Sequence, residues 1–425
     1  MADTIFALSS GSPPAAIAVV RISGPQAGAA LAALAGDLPK SRMATYRTLR
    51  VSRGTVLDQA LVLWFPGPRT ATGEDLAELH LHGGRAVVAA VEVALADMPG
   101  LRRAEPGEFT RRAFAHGRID LAEAEGLADL LSAETELQRR SAIAMAGGAF
   151  SRQVEDWRER VLAASAQVEA VLDFGDEDDV AELPSDFAER LERLAGELSD
   201  WLSRPRAEAL KEGFRVVLAG PPNAGKSTLF NALVEDEAAI TAPLAGTTRD
   251  VLTRAVAIGG VPFVFADTAG LRDESGDEIE VIGIARARAA LDRADLVLWL
   301  GPEGEGPAGC WEVAAQCDRD ALAGKAHPRH RVSAVTGEGL VGLRRDLIGT
   351  AARAMPRPGD AALNQRQHAL LAQAEGVLRD ALRETDPLLV AEALRLVRVA
   401  FDSLIGRATT EDMLDALFGR FCIGK

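Results

Sequence analysis

The stretch Gly220-Pro-Pro-Asn-Ala-Gly-Lys-Ser227 constrains this chain more than any other part of it. It follows the GxxxxGK[ST] spacing. Residues 214–219 before it form an apolar run that reads as a strand, and residues 228–234 after it read as the start of a helix. Glycines let such a loop wrap so that backbone N–H groups face phosphate oxygens. Lys226 adds a charge at the β- and γ-phosphates, and the Ser227 hydroxyl suits Mg²⁺. A strand, a tight loop and a helix in that order belong to a doubly wound α/β sheet, expected over residues 212–355.

Two further stretches fit the same site. Asp267-Thr-Ala-Gly270 follows the apolar run 261–266, so its aspartate can hold Mg²⁺ through water and its glycine N–H can sense a γ-phosphate. Gly246-Thr-Thr-Arg-Asp250 lies between and supplies a hydroxyl for the second Mg²⁺ contact. In this order the three elements mark a nucleoside triphosphatase switch. The expected nucleotide contacts are Asn223, Ala224, Gly225, Lys226, Ser227, Thr228, Thr247, Thr248, Asp267, Thr268, Ala269 and Gly270. Base choice rests on less. Where a GTPase carries Asn-Lys-x-Asp, this chain reads Ala315-Gln-Cys-Asp318, and Ser333-Ala334 fits the last base-contacting loop. Asp318 alone can keep a guanine preference of about 10- to 100-fold through a charge-assisted pair.

The rest of the chain is organised around that unit. At roughly 150 residues per domain, 425 residues suggest two or three domains. Residues 1–117 mix short β-branched runs with Gly and Pro and read as α+β. Residues 118–211 are helical, with Phe187, Leu191, Leu194, Leu198 and Leu202 at three- and four-residue steps. Beyond Pro356 and Pro358 helices resume over 356–425, where Val390, Leu394, Val397, Phe401 and Leu404 repeat the pattern. Helices on both sides of an α/β unit suggest its insertion into a helical domain. A net charge of −15 opposes indiscriminate binding of polyanions. Three cysteines without a CxxC pair, no long uncharged apolar stretch and no basic leader lead to the expectation of a cytoplasmic protein without a membrane span.

At these residues the chain resembles a known family. Pro222-Asn-Ala-Gly-Lys226, the Gly-Thr-Thr-Arg-Asp run and Asp267-Thr-Ala-Gly-Leu-Arg272 resemble the translation-factor-related GTPases. Thr72-Gly-Glu-Asp75 through Glu78-Leu-His-Leu-His-Gly-Gly84, Pro106-Gly-Glu-Phe-Thr-Arg-Arg-Ala-Phe114 and Phe421-Cys-Ile-Gly-Lys425 narrow this to the MnmE (TrmE) family of tRNA-modification GTPases. The resemblance implies an N-terminal α+β folate-binding domain, a helical domain built from both sides and an inserted Ras-like G domain. It also implies a homodimer built through the N-terminal domains, whose G domains meet across potassium-bound nucleotide. Its FAD-dependent partner is MnmG. Together they place an aminomethyl or carboxymethylaminomethyl group at C5 of the wobble uridine of certain tRNAs. The carbon comes from a tetrahydrofolate derivative, in its 5-formyl or methylene form.

Carried over by position, the resemblance gives Asn223 as a K⁺ ligand, with carbonyls from the 241–247 loop, including Ala242, Leu244 and Thr247, completing the shell. Such a cation can neutralise charge between the β- and γ-phosphates as an arginine finger does. Ser227 and Thr248 correspond to the Mg²⁺ ligands. Glu280 matches the glutamate that orients the attacking water, and Arg249 and Asp250 match functional switch positions. For folate the matches are Arg21, Glu78, Arg118 and Lys425; a carboxylate suits a pterin's N–H edge and cations suit its glutamate tail.

Some residues stay open between two readings. His80 and His82 share a strand face with Glu78 and can be metal ligands or strand packing. Cys422 can be a reactive thiol or a packed residue. Lys40, Arg42, Arg47, Arg50 and Arg53 form one basic cluster, and Arg102, Arg103, Arg111 and Arg112 another. Either can touch tRNA phosphate or be a solvated face. Two rival functions differ in class: a ribosome-assembly-type GTPase switch without folate chemistry, and a folate-dependent transferase whose G domain has lost GTP.

Overall fold

A computed structural model describes residues 3–51, 54–174, 183–234, 238–239, 253–267, 290–319, 325–408 and 410–425. Tertiary contacts divide the chain into two units, Met1–Ala128 with Asp402–Lys425 and Asp129–Phe401. The mixed α and β composition agrees with the sequence reading. By its contacts the tail from Asp402 to Lys425 clusters with the N-terminal residues.

The first unit is a six-stranded sheet of β1 (Thr4–Leu8), β2 (Ile17–Ser23), β3 (Thr45–Arg50), β4 (Val56–Phe65), β5 (Leu76–His82) and β6 (Leu101–Arg103). The spatial order is β3-β4-β5-β2-β1-β6, antiparallel except for the parallel pair β1 and β6. Successive side chains in a strand point to opposite faces. Ala18, Val20, Ile22, Leu79 and Leu81 are therefore buried with Leu31, Leu34, Val88 and Val91 of α1 (Ala27–Ala35) and α2 (Arg85–Ala96). The intervening residues Val19, Arg21, Glu78 and His80 share the other face. Strands β2 and β5 pair in a register that sets Arg21 opposite Glu78 and Val19 opposite His80. After α3 (Glu108–Ala115) and α4 (Leu121–Leu131), the tail helix Glu411–Phe418 returns to this unit. There Leu414, Phe418 and Phe421 form one buried cluster with Leu121 and Ala124.

The second unit opens with α5 (Glu136–Ala146), α6 (Ala149–Phe174), α7 (Phe187–Leu202) and α8 (Ala207–Glu212). Thr135 and Gln138 close a reciprocal cap on α5, a device worth about 1 kcal/mol. Of the periodic residues, Phe187, Leu191, Leu194 and Leu198 are buried on α7, while Leu202 at its last turn is half-buried. Trp157 is fully buried against the rings of Phe150, Trp201 and Phe401, and its indole N–H donates to Glu197 at 3.0 Å.

The α/β part follows as β7 (Phe214–Ala219), α9 (Lys226–Val234), β8 (Ala238–Ala239), β9 (Thr253–Ile258), β10 (Val261–Asp267), β11 (Leu296–Trp299), β12 (Trp311–Ala314), β13 (His330–Arg331) and α10 (Leu340–Ala354). The sheet order is β13-β12-β11-β7-β10-β9-β8, with β7 central and parallel to both neighbours. Buried on both faces, β7 and β10 read as near-continuous apolar runs. Helices α11 (Gln365–Ala381) and α12 (Pro387–Leu404) complete the unit, and Val390, Leu394, Val397, Phe401 and Leu404 are all buried. No helix among the described residues is long and apolar enough to cross a membrane.

Candidate functional site

The carboxyl end of β7 delivers the chain into the glycine loop, and α9 starts at Lys226. A central parallel strand feeding a helix N-terminus is where open α/β sheets bind phosphate. Lys226 is nearly fully buried, and its Nζ donates to the Gly220 carbonyl at 3.0 Å and the Pro221 carbonyl at 2.8 Å. The cation is thus held inside the loop's own curve. Ser227 Oγ donates to Asp267 Oδ2 at 2.5 Å, tying the first turn of α9 to the end of β10. A hydroxyl and a carboxylate side by side are hard oxygen donors of the kind Mg²⁺ takes.

Beside the loop lies a cavity lined by Gly225, Thr228, Ala315, Gln316, Asp318 and Ala334. Asp318 is exposed at its mouth, and a hydrogen bond from the Ser333 side chain holds its carboxyl below the usual range. Ser333 is fully buried and is itself fixed by accepting the Thr336 N–H at 3.1 Å. Cys317 N donates to Val332 O at 3.2 Å, which locks the two base-side loops together. Burial and the nearby Glu338 push the Cys317 thiol up, so it is neutral at ordinary pH. A planar base can lie here with its N–H edge on Asp318.

The structure thus brings together Asn223, Ala224, Gly225, Lys226, Ser227, Thr228, Asp267, Asp318, Ser333 and Ala334 on neighbouring loops of one sheet. Ala242, Leu244, Thr247, Thr248, Arg249, Asp250, Thr268, Ala269, Gly270 and Glu280 lie outside the described residues.

On the open face of the first sheet, Arg21 donates to Glu78 Oε1 from Nε at 3.1 Å and from Nη2 at 2.9 Å. His80 bonds the other oxygen of Glu78 at 3.3 Å, and the Arg21 guanidinium sits 5.8 Å from the centre of the Phe109 ring. Phe109 in turn donates its N–H to the Lys425 carbonyl at 3.2 Å. Ile423 bridges to Pro106. Arg21, Glu78 and the backbone of Lys425 therefore meet through Phe109. Arg118 is exposed and lies against Gly73 in the loop before β5. A carboxylate braced by an arginine and a histidine beside an aromatic ring fits a pterin's chemistry.

Several open readings resolve. His80 bonds Glu78 and His82 bonds Asp58, at 2.7 Å through its ring. No cluster of three or more His, Cys, Asp or Glu side chains able to hold a metal occurs among the described residues. In the second basic cluster each arginine has an acidic partner within the chain, although Arg102 and Arg103 stay exposed: Arg102 pairs with Asp3 and Glu108, Arg103 with Glu92, and Arg111 with Glu411 and Asp415. Arg112 is completely buried among Asp3, Glu74 and Glu108. Its carboxylate partners come from distant parts of the chain, which no local charge count reveals. One local signal existed: Glu108 and Arg112 are four apart on α3. Sequence reasoning gave no role to Phe109 as the ring beside Arg21, nor to Gln316 as a contact of the phosphate loop. Cys422 is exposed.

Residues 4–118 match the family described as the GTP-binding protein TrmE N-terminus, and residues 121–422 match the MnmE helical domain. The chain is 66% identical over 437 residues to the tRNA modification GTPase MnmE of Novosphingobium aromaticivorans, covering 100% of both chains. It is 65% identical over 423 residues to that of Erythrobacter litoralis, again covering 100% of both. Among solved structures, the G domain of the T. maritima FeoB iron transporter matches at 25% identity, covering 32% of this chain and 98% of that one, with a TM-score of 0.23.

Proposed function

This chain belongs to the MnmE family of tRNA modification GTPases, and we propose that it hydrolyses GTP with potassium to drive a uridine modification in tRNA. The observation that carries the reading is the buried Lys226 inside its loop, beside the Ser227–Asp267 pair and the Asp318–Ser333 base reader. Lys226 places positive charge where the β- and γ-phosphates lie. Asp318 accepts the two N–H groups of guanine, and Ser333 keeps that carboxylate ionised. Ser227 would hold Mg²⁺ directly and Asp267 through water, and the ion would neutralise phosphate charge during phosphoryl transfer. Asn223 would offer its side chain to K⁺, with Ala242, Leu244 and Thr247 as its companions. Thr248 and Glu280 keep their proposed roles at the metal and the attacking water, and Arg249 and Asp250 theirs in the switch.

The further parts of the reading are a homodimer, a partnership with MnmG and one-carbon chemistry on a tetrahydrofolate derivative held by Arg21, Glu78, Arg118 and Lys425. Support comes from the two hydrogen bonds that Arg21 donates to Glu78 Oε1 and from its approach to Phe109. The division into segments 1–117, 118–211, 212–355 and 356–425 is retained as a proposal, as is a cytoplasmic location. The first experiment is phosphate release from GTP and from ATP, each in potassium and in sodium. Fast release from GTP in potassium alone supports the reading. Equal rates in both salts remove the potassium mechanism, and a preference for ATP removes the guanine assignment. Binding of 5-formyltetrahydrofolate, lost in Glu78→Gln, separates the reading from a ribosome-assembly switch.

A further inference from the structure

Two residues with side chains stand in the left-handed backbone region in the second unit's described residues, Asn223 with φ 63° and Gln316 with φ 58°. That region crowds Cβ against the backbone; glycine enters it freely and asparagine fairly readily, but for a glutamine it costs energy. Such strain persists where the surroundings over-determine it, and it gathers at binding sites. Here the two left-handed residues are joined directly. Gln316 Nε2 donates to the Asn223 carbonyl at 3.2 Å. The Gln316 side chain also lies flat across Gly225, where an added Cβ would meet its Nε2 at 2.9 Å and its Cγ at 3.2 Å. The same residue lines the base cavity, and its carbonyl accepts the Arg319 N–H at 3.0 Å, closing the turn that presents Asp318.

We infer that Gln316 is a positioning residue that clamps the base-reading turn to the phosphate loop, so that binding of the base and the shape of the loop at Asn223 are set together. The inference deepens the GTP reading and rests on it. The physical basis is the Gln316 side chain's two methylenes and planar amide. The methylenes and amide plane give a base a flat surface to rest on, in place of the lysine stem the motif ordinarily supplies. The amide N–H fixes the Asn223 peptide. A neutral amide does this without adding a cation beside the ribose, so the contact carries little salt dependence. Gln316 does not face the guanine N1 and N2 hydrogens, which belong to Asp318. It therefore stabilises any purine triphosphate in the site without selecting among them.

The test uses the full chain with GTP and with ITP, which lacks the exocyclic amine. Gln316→Ala is expected to raise KM about tenfold for both nucleotides, the size of one lost hydrogen bond with its packing. The ratio of GTP to ITP and kcat at saturation should stay where they were. Gln316→Lys, whose amine can reach the same carbonyl, should restore most of the affinity and make it salt-dependent. Asp318→Asn supplies the contrast, because it should change the ratio. An unchanged KM in Gln316→Ala overturns the clamp. So does a shifted GTP to ITP ratio, which would make Gln316 a base reader, or failure of Gln316→Lys to recover affinity. If the unaltered chain hydrolyses neither nucleotide, it is the functional reading that fails, and binding of a fluorescent GDP still tests the clamp.

Discussion

Ser227 Oγ donates to Asp267 Oδ2 at 2.5 Å, joining a helix start and a strand end 40 residues apart in sequence. The bond keeps two hard oxygen donors of the kind Mg²⁺ takes on neighbouring elements of one site. Ser227→Ala should therefore raise the Mg²⁺ concentration needed for half-maximal GTP hydrolysis by about tenfold or more, with GDP affinity in saturating Mg²⁺ less affected. A Mg²⁺ titration of phosphate release measures it, and an unchanged midpoint counts against Ser227 as a ligand.

Lys226 is the buried cation of the loop, so Lys226→Ala removes both the loop's internal bonds and the charge opposite phosphate. GTP turnover should fall at least about a hundredfold. Folate binding by the other unit should be unchanged. Loss of both would mean a general folding defect.

The pH dependence of GTP binding follows from Asp318. Its carboxyl is held low by the Ser333 hydrogen bond, so the ionised form that accepts guanine survives as pH falls through the ordinary aspartate range. Ser333→Ala removes that support. The acid limb of KM for GTP should then move to higher pH, while the neutral plateau moves little. A coincident acid limb in the two proteins would contradict the assignment.

Arg112 is fully buried on α3 against Asp3, Glu74 and Glu108, and Arg102 pairs with Asp3 and Glu108 as well. Arg112→Met should cost about 3–5 kcal/mol, because it takes the buried guanidinium away from Glu74, which is nearly buried itself. Burial resists ionisation of Glu108, but hydrogen bonds from Arg102, the Glu105 N–H and Arg112 outweigh it and lower its pKa. A depressed carboxyl contributes stability above its unfolded value of 4.5, and that contribution is lost as pH falls through the folded value. Thermal unfolding of the unaltered chain should weaken on acidification below about pH 4.5. The variant should show a flatter acid dependence.

Gly424 has φ 93°, and a Cβ there would lie 2.1 Å from the Leu8 carbonyl. Gly424→Ala must lift the tail from β1, at a cost of roughly 1–3 kcal/mol or more. Lys425 would lose its place beside Phe109. Folate affinity should drop while potassium-dependent GTP turnover holds, which isothermal titration and phosphate release read separately.

What could be read from sequence was what local rules govern. The loop from Gly220 to Ser227, the buried stripe of α7 and the shared face of Glu78, His80 and His82 on β5 each follow from a period or a spacing. The second arginine cluster was ambiguous because its meaning depends on partners from elsewhere in the chain: Asp3 and Glu74 reach Arg112 across 109 and 38 residues. The left-handed turn at Gln316 had no signal, whereas Asn223 carried the faint one that asparagine offers. Their bond is a property of two loops brought together by sheet topology.

The docking of the tail on the N-terminal sheet also sets a clock. Arg111 and its partner Asp415 are 304 residues apart, and a ribosome working at about 5–20 residues per second needs roughly 15–60 s to cover that distance. Through that interval Phe109 and Pro106 lack the partners that Lys425 and Ile423 give them in the finished chain. The nascent chain's first domain is thus its last to be finished, and it is for this stretch of synthesis that a chaperone has the most to cover.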